Sequence, residues 1–346
     1  MTTASSTEVR HAGRAAFKQL TLLSTREVFR NVKSFISLMF SFLFFLVVIV
    51  GVDFSVNGGR PAPVVSVAGG QHSAQVVTAL RDHDLVVRAA DDQSVTAKIT
   101  IGEHRATIAL VGKHKPSWKQ LVAVVHSTGI PSADILVTGS DGTPEPDVLR
   151  TNLATVLVTG FMAVAFMGTS VPLVTLRQRG TLRLLGTTPV SRTAFILAQS
   201  PVRFALGIAE AIVVLIIAWS QGYVESLSIV RLSITLIVGL AMMFALAYLV
   251  ASRATNPDVI AQVTGFLPVI VIFSCGTIVP LHIFPDFVRY LTYSFPSTWF
   301  MQAVGADIAG TQPFISVYWL WAMMAAVAVA AALLAARLFK WDQGDL

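Results

Sequence analysis

The feature that most constrains this chain is a series of long apolar stretches, five of which contain no charged residue. A bilayer core about 30 Å thick is crossed by about 20 residues of α-helix, and each stretch reaches that length. The mean hydropathy of +0.69 also exceeds what one soluble core requires. We therefore predict an integral membrane protein. The predicted spans are 34–52, 151–176, 194–219, 232–252, 259–285 and 308–336, the third being interrupted by Arg203 and Glu210.

The sidedness follows from lysine and arginine in the short flanking segments. Segments 1–33, 176–192, 252–258 and 337–346 hold thirteen basic residues against five acidic ones, whereas 53–150 holds nine against ten. Six spans with both termini in the cytoplasm fit this distribution. The positive charge lies where topology and anionic membrane lipid favour it, so it requires no nucleic-acid partner. Segment 1–10 lacks the apolar core of a cleavable signal peptide, so the first span is predicted to be retained.

The segment between the first two spans is long enough for a small domain. Short β-branched stretches at 63–67, 85–88, 107–111 and 135–138 predict strands, and 73–83 and 118–126 predict amphipathic helices. A small extracytoplasmic α/β domain is therefore expected. It holds five of the seven histidines, whose spacing matches no metal-ligand motif, so we expect no metal site there and interpret them as solvated surface residues.

A basic loop joins the second and third spans and reads "TLRQRGTLRLLGTTPVSRTAF", residues 175–195. Gly180 is expected to interrupt the helix leaving the membrane, and Thr181 to cap a short new helix. Leu182 and Leu185 share one side of this helix, which Gly186 and Pro189 end. A short helix below the membrane with exposed leucines is typical of a site that docks on another protein.

This loop resembles that of the permeases of ABC-2 type exporters, where it docks on a separate ATP-binding subunit. The family pattern is Arg-Glu-basic-Gly-Thr-Leu-Glu-x-Leu followed by Thr-Pro-Val-Ser, and this chain departs from it at the two glutamates, with Gln178 and Arg183. The partner is therefore expected to carry compensating acidic groups. The coupling residues that the resemblance implies are Arg177, Gln178, Arg179, Gly180, Thr181, Leu182, Arg183, Leu185, Thr188 and Pro189.

The resemblance extends over nearly the whole chain. Residues 14–33 can form an amphipathic helix in the inner headgroup layer, although a solvated basic tail explains them nearly as well. Residues 280–300, "PLHIFPDFVRYLTYSFPSTWF", are similar to the family's re-entrant hairpin, with prolines that break helices and an aromatic belt that includes Phe287, Tyr290 and Phe300. The residues assigned to a translocation pathway are Arg203, Glu210, Pro280, Phe284, Pro296 and Trp299.

The fold class is thus an α-helical polytopic membrane protein with six transmembrane helices and an N-terminal interfacial helix. It carries the small α/β domain between the first two spans and the re-entrant hairpin before the last. The predicted segments are an N-terminal region at 1–33, the first span at 34–54, the α/β domain at 55–148 and a core at 149–346. The core includes the coupling loop at 176–192 and the hairpin at 280–307.

The expected function is that of the membrane subunit of an ATP-driven exporter in the plasma membrane. The chain has no nucleotide-binding motif of its own, so ATP and Mg²⁺ are expected in a partner ATPase, and the resemblance implies a second permease chain. Sparse polar groups in the spans favour a lipophilic or amphipathic cargo, such as a drug, a natural product or a lipid. Two alternatives remain: a membrane-anchored receptor or assembly factor with an extracytoplasmic ligand-binding domain, and a membrane-embedded enzyme such as an acyl or glycosyl transferase. Neither explains the docking loop.

Glu210 lies well inside the lipid slab, where a charge costs about 2.5 to 3.5 kcal/mol on insertion scales. Arg203 is seven residues earlier on the same helical face, so a side-chain pair between them is feasible. The alternative is that Glu210 faces the pathway and contacts cargo or relays a proton.

Overall fold

A computed structural model describes most of the chain between residues 32 and 339. The described ranges are 32–57, 60–70, 73–102, 105–111, 116–131, 134–145, 147–182, 192–224, 226–274 and 285–339. The predicted interfacial helix at 14–33 therefore lies almost entirely outside the described residues, as do the C-terminal tail at 340–346 and the segment 275–284.

The apolar stretches fold into helices. Among the described residues, four helices are long and apolar enough to cross a membrane, at Val148–Gln178, Ser200–Ser220, Ser228–Arg253 and Val317–Leu338, and two shorter apolar helices lie at Phe42–Ser55 and Pro257–Ile272. The protein is therefore polytopic and helical, while the count of six spans stays a prediction. The helices of this bundle are α1 (Val32–Asn57), α4 (Val148–Met162), α5 (Gly168–Gln178), α6 (Arg192–Ser220), α7 (Ser226–Arg253), α8 (Pro257–Ser274), α9 (Asp286–Tyr293), α10 (Pro296–Ile308) and α11 (Val317–Leu338).

The last long helix begins later than the sequence predicts. The apolar stretch starts at residue 308, but Gly310 has a φ of +67° and a turn separates α10 from α11. A glycine in this left-handed region ends a helix without steric cost. The predicted span 308–336 therefore combines the end of one helix, a turn and the next helix.

The segment between α1 and α4 forms an α/β domain. Its helices are α2 (Ser73–Asp82) and α3 (Lys119–Ser127), and its strands are β1 (Val64–Gly69), β2 (Val86–Val87), β3 (Ala97–Ile101), β4 (Ala106–Leu110) and β5 (Ile135–Thr138). The sheet order is β2-β1-β3-β4-β5, in which only β3 and β4 are antiparallel neighbours. Val76 and Leu80 of α2 and Leu121 and Val125 of α3 are buried with the sheet residues in one apolar core.

Strand β3 is absent from the sequence prediction. Its residues alternate between buried Ala97, Ile99 and Ile101 and exposed Lys98 and Thr100. This period-two pattern is typical of a half-buried strand, so the strand is visible in the sequence itself.

The helices of the bundle run alternately up and down, as the contacts at their ends show. We call the end that carries the α/β domain the domain end, and the opposite end, where α5 stops, the loop end. Tyr223, which follows α6, contacts Asp147, which precedes α4, at the domain end. Arg177 near the end of α5 contacts Ala251 near the end of α7 at the loop end.

Candidate functional site

The chain changes direction sharply where α5 leaves the bundle. The α5 helix ends at Gln178, Gly180 adopts a φ of +70°, and Thr181 and Leu182 are already helical again. The Gly180 N–H donates to the Arg177 carbonyl at 3.0 Å. Only glycine enters this left-handed conformation without strain, so Gly180 sets the direction in which the loop departs.

Arg177 is buried beneath this turn and binds the end of another helix. Its guanidinium donates to the carbonyl oxygens of Ala251 at 3.0 Å, Ser252 at 3.1 Å and Ala254 at 2.7 Å. These oxygens belong to the last turn of α7 and the link to α8, where helix carbonyls lack an intrahelical partner. The planar guanidinium can serve several of them at once.

The Arg177 guanidinium also lies against α11. Its carbon is 5.4 Å from the centre of the Phe339 ring, which is fully buried just after α11 ends. A cation over an aromatic face at this distance is attracted by the ring quadrupole. One side chain next to the loop thus connects α5, the α7–α8 link and the end of α11.

The accessible part of the described loop is formed by Gln178, Arg179 and Thr181, whose side chains are exposed. Arg177 is only 2 % exposed and Leu182 is fully buried. The prediction of Leu182 as an exposed docking leucine is therefore wrong, and Arg177 is bound inside the chain rather than displayed to a partner. The remaining residues assigned to coupling, Arg183, Leu185, Thr188 and Pro189, lie outside the described residues.

A second buried polar group lies in the middle of the bundle, at Glu210 of α6. Glu210 is 1 % exposed, and neither of its carboxylate oxygens has a hydrogen-bond partner within the described part of the chain. Its Oε2 lies so close to Gly160 of α4 that a Cβ there would be 2.8 Å away, and the same Cβ would be 2.8 Å from the Phe42 ring of α1. The absence of a side chain at Gly160 therefore creates the space for the carboxyl group.

The predicted pair between Arg203 and Glu210 is not formed in the described structure. Both side chains are buried, but the Glu210 carboxylate lies against Gly160 of α4, whereas Arg203 lies two turns nearer the loop end of α6. Sharing a helical face brings two residues into line along the axis, but seven residues of α-helix rise about 10 Å. In this structure the side chains do not bridge that distance.

The helix between these two sites contains an irregular segment. A π-helical turn at Ala163–Met167 separates α4 from α5, and Pro172 lies inside α5. A π-turn adds a residue to the helix, and a proline removes a backbone hydrogen bond. Gly160 and Arg177 thus sit on opposite sides of the least regular part of this helix.

The hairpin residues have structural contacts. Pro296 is the first residue of α10, and the Trp299 indole donates to the Tyr293 carbonyl of α9 at 2.6 Å. Phe300, predicted for an aromatic belt, is instead fully buried and stacks on Phe161, whereas Phe287 and Tyr290 are exposed. Pro280 and Phe284 lie outside the described residues.

The sequence did not reveal Gly160 as the neighbour of Glu210, because small residues occur throughout these spans. It likewise did not reveal that Arg177 turns inward, since basic residues at the end of a span are usually interpreted as topology signals. Both are contacts between helices that are far apart in sequence.

Comparison with known proteins gives one family. The profile of the family described as ABC-2 type transporter matches residues 134–306, which is half of the chain. The match runs from β5 into α10 and therefore includes Arg177, Gly180 and Glu210. No curated protein and no solved structure matches the chain.

Proposed function

The chain belongs to the ABC-2 type transporter family, and we propose that it is the permease subunit of an exporter driven by a separate ATPase. The observation that carries this proposal is the geometry at the end of α5. An exposed surface of Gln178, Arg179 and Thr181 lies directly beside the buried Arg177. A partner bound to that surface is therefore mechanically linked to several helices.

Coupling follows from the contacts of Arg177. A displacement of the loop by ATP binding in the partner moves the end of α5 together with the α7–α8 link and the end of α11, because one guanidinium binds all of them. The π-turn at Ala163–Met167 allows α4, which lies farther from the loop, to move by a different amount than α5. Transport requires that the two arrangements bind cargo with different affinities. The nucleotide and its Mg²⁺ belong to the partner, and a second permease chain completes the pathway.

The pathway is assigned to the region around Arg203 and Glu210, with the hairpin residues Pro280, Phe284, Pro296 and Trp299 at its outer end. A crevice of about 210 Å³ between α6 and α7 supports an apolar cargo. Its lining includes Phe161, Ile212, Leu215, Ser233, Ile237 and Leu240. Phe161 and Ala211 of this lining adjoin Gly160 and Glu210 in the sequence. The apolar wall suits a lipophilic or amphipathic cargo, and we assign Glu210 to a cationic group of that cargo elsewhere along the pathway.

The loop end is assigned to the cytoplasm and the domain end to the outside of the plasma membrane. A tag at residue 1 or 346 is expected to be protected from an impermeant label in intact cells. A tag inserted after Gly142, in an exposed turn of the α/β domain, is expected to react. A reactive C-terminal tag together with a protected Gly142 tag would invert the topology and place the docking loop on the wrong side for an ATPase.

The partner surface is tested by Arg179→Glu, which reverses an exposed charge in the loop. We expect the variant to insert and fold normally but to bind its ATPase about tenfold more weakly, because the partner must place acidic groups opposite this surface. Co-purification of the ATPase and its stimulated ATP hydrolysis measure the effect. Arg81→Glu, an equal charge change on exposed α2 of the α/β domain, is the matched control.

Leu182→Asp is expected to behave differently, as a folding defect, because it places a carboxylate in the buried core. If the Arg179→Glu variant bound and stimulated the ATPase as the wild type does, the docking surface would lie elsewhere. If the wild type bound no ATPase at all, a receptor anchored by its spans would be the better interpretation.

A further inference from the structure

A compact group of charged and aromatic side chains joins the α/β domain to the domain end of the bundle. Lys119, the first residue of α3, places its Nζ 2.7 Å from Asp53 Oδ1 near the end of α1. The same Nζ lies 3.2 Å from Asp147 Oδ1, which precedes α4, and 3.2 Å from the Tyr223 hydroxyl between α6 and α7. An ammonium group has three N–H donors, which matches these three partners.

Two of the acceptors of Lys119, Tyr223 and Asp147, are also bound to each other. The Tyr223 hydroxyl donates to Asp147 Oδ2 at 2.8 Å, and Asp147 Oδ1 accepts from the Arg150 N–H at 3.1 Å as the N-cap of α4. Burial, together with the Asp147 carboxylate, raises the pKa of Tyr223, so this hydroxyl keeps its proton and remains a donor. The Lys119 side chain is only 19 % exposed, so water screens these charges weakly.

Further contacts connect this group of side chains to the end of α10 and to a second point on the α6–α7 turn. The Arg150 Nε donates to the Ile308 carbonyl at the end of α10 at 2.8 Å, and its guanidinium lies 5.6 Å from the Tyr223 ring centre. At the other end of α3, the His126 ring lies beside Gly222, where a Cβ would be 3.5 Å from His126 Cδ2. Helix α3 therefore contacts the α6–α7 turn near both of its own ends.

These contacts span elements that are otherwise joined only through long connections. Asp53 and Asp147 stand at the two points where the α/β domain is inserted into the bundle, and Tyr223 belongs to a separate turn. Any displacement of the start of α3 away from the bundle must separate Lys119 from these partners. A domain held only by its two linkers would by default move relative to the bundle.

We propose that Lys119 is a positioning residue of the transport cycle, which makes the α/β domain move as one body with the domain ends of α1, α4 and the α6–α7 turn. This inference rests on the proposed function for its role in transport. It assigns the domain to a fixed position over these helices rather than to a hinged lid. A motion that starts at Arg177 and passes along the long helix formed by α4 and α5 is thereby transmitted to the α/β domain at the outer surface.

The test measures the position of the domain in the full chain, with Cys275 replaced by serine, in lipid nanodiscs. Spin labels are placed at exposed Thr78 of α2 and exposed Gln221 of the α6–α7 turn. The wild-type background is expected to give a narrow distance distribution. Lys119→Met is expected to broaden it at least about twofold, because Asp53 and Asp147 then repel each other and the charged contacts of Lys119 no longer hold the domain to the bundle.

Three controls accompany this measurement. Lys98→Met changes an exposed lysine of β3 in the same domain and is expected to leave the distribution unchanged. Lys119→Arg keeps the charge and is expected to restore the narrow distribution. A second label pair at Thr78 and Thr100, both within the domain, reports whether the domain itself stays folded. A Lys119→Met distribution as narrow as the wild type would overturn the proposal.

The role in the cycle is tested in the complex with the ATPase, trapped with ATP and vanadate. The distance between Thr78 and Gln221 is expected to be the same in the trapped and nucleotide-free wild-type complexes, and to differ between these states in Lys119→Met. A change in the wild-type distance on trapping would overturn the proposal, because the domain would then move relative to the turn. Failure to form any ATPase complex would instead contradict the proposed function, while the nanodisc measurement on the chain alone would still decide the position of the domain.

Discussion

Replacing Arg177 with methionine is expected to lower the free energy of unfolding by about 3 kcal/mol or more, because three backbone carbonyl oxygens lose a charged donor. The oxygens of Ala251, Ser252 and Ala254 lie where α7 ends, and the described structure gives them this guanidinium as a shared donor. Methionine retains the apolar stem but supplies no N–H group. Chemical denaturation in detergent micelles, followed by tryptophan fluorescence, measures the loss.

The neighbouring arginine provides the matched control. Arg179 lies two residues later and its side chain is exposed, so Arg179→Met is expected to change stability by less than about 0.5 kcal/mol. Arg177→Lys is expected to fall between the two, because an ammonium group keeps the charge but cannot reproduce the planar fork of donors. Equal losses for Arg177→Met and Arg179→Met would show that the contacts of Arg177 do not stabilise the bundle.

Gly160→Ala is expected to destabilise the bundle by about 1–3 kcal/mol, the usual cost of overpacking a helix contact. The new Cβ would lie 2.8 Å from both Glu210 Oε2 and the Phe42 ring, and neither a carboxyl nor a ring in a closed contact can withdraw freely. Gly265→Ala in α8 is the matched control, since a Cβ there meets nothing within 4 Å. It is expected to stabilise its helix by up to about 1 kcal/mol.

A second substitution distinguishes how much Glu210 and Phe42 each oppose the new methyl group at position 160. Glu210→Ala removes the carboxyl group, so the double variant Gly160→Ala with Glu210→Ala is expected to be more stable than the sum of the single effects predicts. Denaturation of the four proteins in this cycle measures the interaction energy. Additive effects would show that the Phe42 ring alone opposes the new methyl group.

The functional role of Glu210 is tested by a substitution that keeps the shape of the side chain. Glu210→Gln removes the charge but preserves volume and hydrogen-bonding capacity. It is expected to unfold as the wild type does while export of a lipophilic cation, such as rhodamine 6G, by the ATPase complex falls. Unchanged rhodamine export in Glu210→Gln, with wild-type export established in parallel, would remove Glu210 from the pathway.

Local features of the chain were predicted well because each depends on a few neighbouring residues. The turn after α5 follows from the freedom of Gly180 to adopt a positive φ, and the family follows from the motif around it. Strand β3 is also a local feature, since the alternation over Ala97–Ile101 is visible in the sequence.

Contacts between helices were not predictable in the same way. In a soluble protein, a polar face and an apolar face show how a helix is rotated, but in lipid both faces are apolar. The sequence places Glu210 at a certain depth in its span but does not show that it faces Gly160 rather than Arg203. It likewise places Leu182 on a short helix but does not show that this side chain turns into the bundle.

The sequence by itself thus determined that the protein is a polytopic membrane protein, which stretches are apolar enough for its long helices and to which family it belongs, because apolar length and glycine turns are local properties. Only the tertiary structure decided that Arg177 binds the end of α7, that Glu210 occupies the space above Gly160 and that Lys119 joins the α/β domain to the bundle. Each of these depends on how helices distant in the sequence are rotated against one another. That rotation is set by side-chain packing across the whole bundle, which no short stretch of the chain contains.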